Sequence, residues 1–205
     1  MKENKGFTLI ELVIALALSG LIFTMLFTAL WQTQKFREKG EERQETMQKM
    51  RILTDRLSWL LKGAYPYSIK EEGKTLIYFS GDSSTLGFVT SSVDAFSEGP
   101  EDTAGLKWVE LSAGDEGLSI RENIYFMREN LDGEGGTERV FDPDVRSMEF
   151  SYLTIEESGS EKWVTEWKPK DKDYLPRAVR VKVGFEHKDK KFDLPEIVVR
   201  LRAGQ

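Results

Sequence analysis

The chain has no cysteine and a single histidine, His187, among its 205 residues. The lack of cysteine excludes a disulfide framework and thiolate metal sites, although it does not identify a compartment. An excess of positive charge is also missing. Lys and Arg number 29 against 35 Asp and Glu, a formal net charge of −6 with both signs interspersed, which argues against a nucleic-acid-binding surface. No internal repeat is visible. The most informative absence is local, because from Phe7 to Trp31 the only ionisable side chain is Glu11.

Motifs that carry chemistry are scarce as well. Gly81-Asp82-Ser83 superficially resembles a serine-protease nucleophile tripeptide, but no glycine follows it and His187 is the only histidine, so the segment reads as a turn between two short strands. The acidic stretches Glu98 to Asp102, Asp132 to Glu134 and Asp142 to Asp144 supply the hard oxygen ligands that calcium takes, yet none has the spaced D-x-[DN]-x-[DN]-G loop. They read as solvated loops. Asp132-Gly133-Glu134-Gly135-Gly136 has no Gly-Lys-Ser/Thr ending and no strand-to-helix context, and is not a phosphate cradle. These readings predict no catalytic residue, no metal site and no cofactor.

What is present lies at the N-terminus, KENKGFTLIELVIALALSGLIFTMLFTALW. At ~1.5 Å per residue the stretch from Phe7 to Trp31 makes a helix of roughly 37 Å, enough to cross a bilayer core. A carboxylate at the centre of such a span costs on the order of 2.5 to 3.5 kcal/mol on insertion scales, so Glu11 calls for a cationic partner. A cleaved secretory signal fits poorly: the apolar run is too long, the following QTQKFREKG offers no small-residue cleavage site, and an acid inside the apolar region is unexpected. An ordinary signal anchor leaves Glu11 unexplained. Lys2 and Lys5 precede the span while Lys35 and Arg37 follow it, so charge alone orients it weakly.

The basic leader, Gly6, Phe7, the block GFTLIEL and Glu11 resemble the processing signal of the type IV pilin and pseudopilin superfamily. The resemblance implies a leader over residues 1–6, cut between Gly6 and Phe7 by a prepilin peptidase, and N-methylation of Phe7. It also implies a transmembrane and assembly helix over 7–31, with the N-terminus cytoplasmic, and a periplasmic domain over 32–205. The new ammonium on Phe7 would lie one helical turn from Glu11, on the same face. Their attraction in a low-dielectric membrane is strong, although desolvation offsets much of it. In a filament the amine of an axially displaced neighbour could pair with this Glu11 and set the assembly register. Gly20 stands where family members often carry a helix-weakening residue, with Ser19 beside it; glycine is also simply common in membrane helices.

Beyond the span the helix is expected to continue to about residue 64. Met50, Leu53, Leu57, Leu60, Leu61 and Ala64 recur at three- and four-residue steps as one amphipathic face, and Gly63 and Pro66 mark its end. Ile52 and Trp59, seven apart, fall mainly off this stripe. Two readings stand: a seam against a partner helix, or a flanking contact with the protein's own loops.

The remainder reads as strands: Lys74 to Ser80, Thr85 to Ser91, Lys107 to Ala113, Leu118 to Phe126, Val145 to Glu156, Glu161 to Trp167, Arg177 to His187 and Glu196 to Arg202. Val179, Val181, Val183 and Phe185 share one face, as do Ile197, Val199 and Leu201. Turn clusters such as SGDSS, SAGDEG and EESGS separate them. One long helix followed by strands predicts an α+β fold, a helix laid over antiparallel sheet, which is also the pilin pattern. Trp163 and Trp167, four apart, are expected on the same strand face as core or sheet cover.

The segment VRSMEFSYLTIEESGSEKWVTEWKPKDKDYLPRAVRVKVGF resembles the late part of the J family of minor pseudopilins of type II secretion, through Phe150 and Tyr152, Trp163 and Trp167, and Leu175-Pro176-Arg177-Ala178-Val179. That resemblance implies a filament subunit rather than an enzyme, in a tip complex with the I and K subunits that supports export of folded proteins across the outer membrane. It further implies contact with the major pseudopilin, the inner-membrane assembly platform and membrane lipid, and no nucleic acid. An alternative within the superfamily is a minor pilin of a type IV pilus or competence system. From another class, a membrane-anchored enzyme or ligand-binding domain would require a polar constellation that the sequence does not show.

Overall fold

A computed structural model describes residues 8–71, 73–92, 105–123, 135–156, 158–169, 173–188 and 190–202. The chain forms two compact units, 1–48 and 49–205. Helix α1, Leu9–Lys62, contributes to both.

The first unit is helical. Its N-terminus is closed by Thr8 and Glu11 in a reciprocal cap: the Thr8 hydroxyl accepts from the Glu11 amide at 3.3 Å, while the Thr8 amide and hydroxyl each donate to Glu11 Oε2 at 3.0 Å. This capping box satisfies amide donors that the first turn of any helix leaves open. The hydroxyls of Thr24, Thr28 and Thr33 donate to the carbonyls of Gly20, Thr24 and Ala29, each at 2.8 Å, so these polar groups need no water.

In the second unit the amphipathic stripe is buried as expected. Leu53, Leu57, Leu60, Leu61 and Ala64 lie in the main core with Met50 packed against it. The helix ends because Gly63 permits a close crossing: a Cβ there would collide with the side chains of Ser92 and Thr90. Thr90 Oγ1 donates to the Leu60 carbonyl at 3.0 Å and the Ser91 amide to Gly63 O at 2.9 Å. These bonds satisfy carbonyls left open at the helix terminus.

Among the described residues the strands form a hairpin and two five-stranded antiparallel sheets. The hairpin pairs β1 (Ser68–Glu71) with β2 (Lys74–Ile77). The first sheet is a meander of β3 (Phe79–Gly81), β4 (Thr85–Thr90), β5 (Lys107–Gly114), β6 (Gly117–Asn123) and β7 (Thr137–Asp142). In the second, β10 (Ala178–His187) is central. It pairs on one flank with β8 (Val145–Ile155), which carries β9 (Glu161–Val164). Its other flank pairs successively with β12 (Ile197–Arg200) and β11 (Lys190–Asp193). The sheets are stitched where Gly81 and Trp167 exchange backbone bonds of 3.0 and 2.7 Å and where the Phe150 amide donates to Ser83 O at 3.0 Å. The Tyr152 hydroxyl donates to Asp82 O at 2.9 Å, and a Cβ on Gly81 would collide with that hydroxyl.

The α+β fold is therefore as expected, with two sheets where one was anticipated. The main core joins the helix stripe to Phe79, Phe88, Leu111 and Ile120 of the first sheet and Phe150, Val181 and Phe185 of the second. A second, smaller cluster of Tyr78, Val89 and Trp108, with Tyr67, Ile69 and Leu106 beside it, occupies the reverse face of the first sheet. Strands β1, β7 and β11 were not anticipated. They are short and rich in charge, and none of their described side chains is buried, so no apolar alternation marks them. The expected strand Lys74 to Ser80 is split at Tyr78, and residues 124–126 of another lie outside the described residues.

The tryptophan pair is corrected. Strand β9 stops at Val164, which breaks the two-residue alternation before Trp167. Trp167 is buried in the main core, whereas Trp163 lies opposite Leu153 with the Arg180 guanidinium 4.0 Å from its ring. The two indoles do not share a face.

Candidate functional site

The sequence placed its candidate residues along the N-terminal helix. Gly6 and Phe7 lie outside the described residues. Glu11 stands in the first turn of α1 and is occupied locally by Thr8, so the first partner of this carboxylate is a neighbouring hydroxyl and amide rather than a cation. Thr8 was missed as a functional residue, although the spacing T-x-x-E is itself a capping-box signal. Leu9–Arg37 is long and apolar enough to cross a membrane, and its residues are exposed. Gly20 has open space where a Cβ would stand, and its carbonyl accepts from Thr24.

Ile52 and Trp59 are 45 % and 53 % exposed. They are off the buried stripe, two helical turns apart, as the spacing requires. Neither is buried by a loop of the described residues, and Tyr65, just past the helix end, is also half exposed.

Two polar arrangements escaped sequence reading. Asp144, expected in a solvated loop, instead has one carboxylate oxygen bound by both Lys49 Nζ of α1 at 3.0 Å and His187 Nδ1 of β10 at 2.8 Å. Burial works to raise the Asp144 pKa, but the bonds from Lys49 and His187 outweigh it and hold the carboxyl below the usual aspartate value. Beside it, burial and the Asp144 charge push Asp142 up, although the Asp144 amide donates to Asp142 Oδ1. The loop is thus a three-element fastening. Its partners come from residues about 40 and 95 positions away, which no local pattern reveals.

The second arrangement runs across the first sheet, where Arg121 on β6 meets Glu110 on β5 at 2.8 Å and Glu138 on β7 at 2.9 Å. Burial raises the Glu110 pKa in spite of Arg121. Both arrangements join side chains of this domain to one another. The Gly81-Asp82-Ser83 segment is a turn, as expected: Asp82 Oδ1 accepts from the Ser84 amide at 2.6 Å and the Thr85 amide at 2.8 Å. Among the described residues no group of three His, Asp or Glu side chains is placed to hold a metal ion. The acidic stretches Glu98 to Asp102 and Asp132 to Glu134 lie outside the described residues.

An exposed apolar helix with one carboxylate in its first turn, followed by an amphipathic continuation packed on antiparallel sheet, defines the pilin-like class of membrane-anchored proteins. The chain belongs to the family described as type II secretion system (T2SS), protein J, whose profile matches residues 24–191, and the prokaryotic N-terminal methylation motif matches residues 1–27. It is thereby a minor pseudopilin of type II secretion with a single-pass anchoring helix. The protein J match covers the C-terminal segment on which the choice between type II secretion and a type IV pilus system depended. Comparison with curated proteins found no match.

Proposed function

We propose that this pseudopilin is cut between Gly6 and Phe7, methylated on the new amine, and held with its N-terminus cytoplasmic and its β-rich domain periplasmic. It then joins the I and K subunits in a tip complex that initiates the pseudopilus, whose growth above the assembly platform and through the major pseudopilin helps move folded proteins across the outer membrane. Its role is structural rather than catalytic. The observation that carries this reading is Glu11, a lone carboxylate in the first turn of an exposed apolar helix. In the subunit at rest the Thr8 cap satisfies it. On assembly the methylated amine of a neighbour replaces that cap and fixes axial register. Gly20 serves as the point where the helix yields, and Ile52 with Trp59 forms the seam to a partner helix.

The test is crosslinking in native membranes followed by mass spectrometry of the tagged full-length chain, its N-terminal peptide and its partners. Methylated Phe7 together with I and K subunits is the expected result; an uncut N-terminus or pilus-system partners would refute it. In the same assay Glu11→Ala is expected to remain anchored while losing incorporation into the filament. Incorporation at the parent level would remove the register mechanism.

A further inference from the structure

At the far end of the anchor, the Lys35 ammonium lies 4.0 Å from the centroid of the Trp31 ring. The pair spans one helical turn, and a helical side chain leans towards the N-terminus, so the lysine head is laid back over the indole. Trp31 is 61 % exposed. Immediately before it runs Leu12 to Leu30, a stretch with no ionisable side chain, and immediately after it come Gln32, Thr33 and Gln34. The border between apolar and polar sequence thus coincides with the pair. Indoles concentrate at the headgroup level of bilayers, and a lysine stem can lie on apolar surface while its ammonium reaches the lipid phosphates.

The distance to the other polar fixture gives this placement a consequence. Glu11 precedes Trp31 by about twenty residues, or roughly 30 Å of helix, which equals the thickness of a typical hydrocarbon core, about 30 Å. We propose that the Trp31–Lys35 pair seats in the phosphate layer of the bilayer and fixes the depth of the helix, so that the Thr8–Glu11 cap stands at the opposite interface. Resting on the membrane-anchoring reading, this makes the lipid headgroup layer the partner of the pair. Glu11 then waits beside water, with its oxygen held by Thr8, and enters apolar surroundings only when the subunit leaves that depth.

The absence of native cysteine allows the test to be made on the full chain. Single substitutions Leu12→Cys, Met25→Cys and Thr33→Cys, each carrying an environment-sensitive fluorophore, are reconstituted in phosphatidylethanolamine–phosphatidylglycerol vesicles. Quenching by aqueous iodide and by lipid-borne nitroxides gives the depth of each label. In the parent, the Met25 position is shielded from iodide while the Thr33 position is reached. In a Trp31→Leu, Lys35→Leu background the Thr33 position sinks, with iodide access falling about twofold as the helix slides or tilts to match its lengthened apolar stretch, and the Leu12 position shifts as well. Unchanged depths at both ends would overturn the proposal while leaving the anchor intact. Iodide access at all three positions of the parent would overturn the anchoring reading, and the proposal with it.

Discussion

Replacing Asp144 by alanine should weaken the domain by an amount that follows from its two contacts. The side chains of His187 and Asp144 are 11 % and 20 % exposed, so their 2.8 Å bond is a largely buried interaction of an ionised acceptor, worth roughly 1.5 to 3 kcal/mol when broken. Lys49 is 41 % exposed, and solvent screening reduces its share to below about 1 kcal/mol. A loss of about 2 to 3 kcal/mol is expected for Asp144→Ala. In a unit of this size it corresponds to a fall in Tm of roughly 4 to 12 °C. Asp144→Asn keeps an oxygen for His187 and loses the charge, so it should cost about half as much. Because the Asp144 pKa is depressed in the folded chain, its contribution is present above the ordinary aspartate value of 3.8 and is lost as pH falls through the lower folded value. Thermal unfolding of the full chain in detergent, followed by tryptophan fluorescence from pH 7 to pH 3, should show the gap between parent and alanine variant closing only at the acid end. A variant within about 0.5 kcal/mol of the parent at neutral pH, or a gap insensitive to acid, would refute the assignment of Asp144 as the link between helix and sheet.

Tyr152→Phe should cost about 0.5 to 1.5 kcal/mol at neutral pH, since the hydroxyl donates to Asp82 O where the two sheets meet. Burial pushes the Tyr152 phenol well above its ordinary value of 10.0, so the parent should lose stability as pH rises beyond that value and the variant should lose less; parallel alkaline denaturation curves would contradict this. Ile52→Ser together with Trp59→Ser should leave the Tm almost unchanged, because both are half exposed, while reducing recovery of other pseudopilins after crosslinking; equal recovery would remove the seam. Gly6→Ala should arrest processing, read as retention of residues 1–6 by mass spectrometry, and a normally cut and methylated chain would count against the leader assignment.

Much of this protein was legible because its signals are local. Helical periodicity gave the buried stripe from Met50 to Ala64, and two-residue alternation gave the inward faces of β10 and β12. The T-x-x-E cap was equally available, in residues already read for another reason. The errors lie where partners are distant or the pattern is too short. Trp167 turns into the core because β9 ends early and its backbone is captured by Gly81, and neither fact is encoded beside the tryptophan. Strands β7 and β11 exist because β6 and β10 offer them ladders; their own sequences would stay in water without those neighbours.

The sequence by itself determined that there is an anchor, that its single acid lies near one end, and that a helix with one apolar face leads into β structure. Those properties depend on composition and on periods of 3.6 and 2, which are written in consecutive residues. Only the tertiary structure decided that the strands divide into two sheets joined at Gly81, Ser83 and Tyr152, and that Asp144 is held between Lys49 and His187 rather than left in solvent. The physical reason is that a charge or an aromatic ring takes its energy from whatever the whole fold brings within a few ångströms, and chain order does not specify that company.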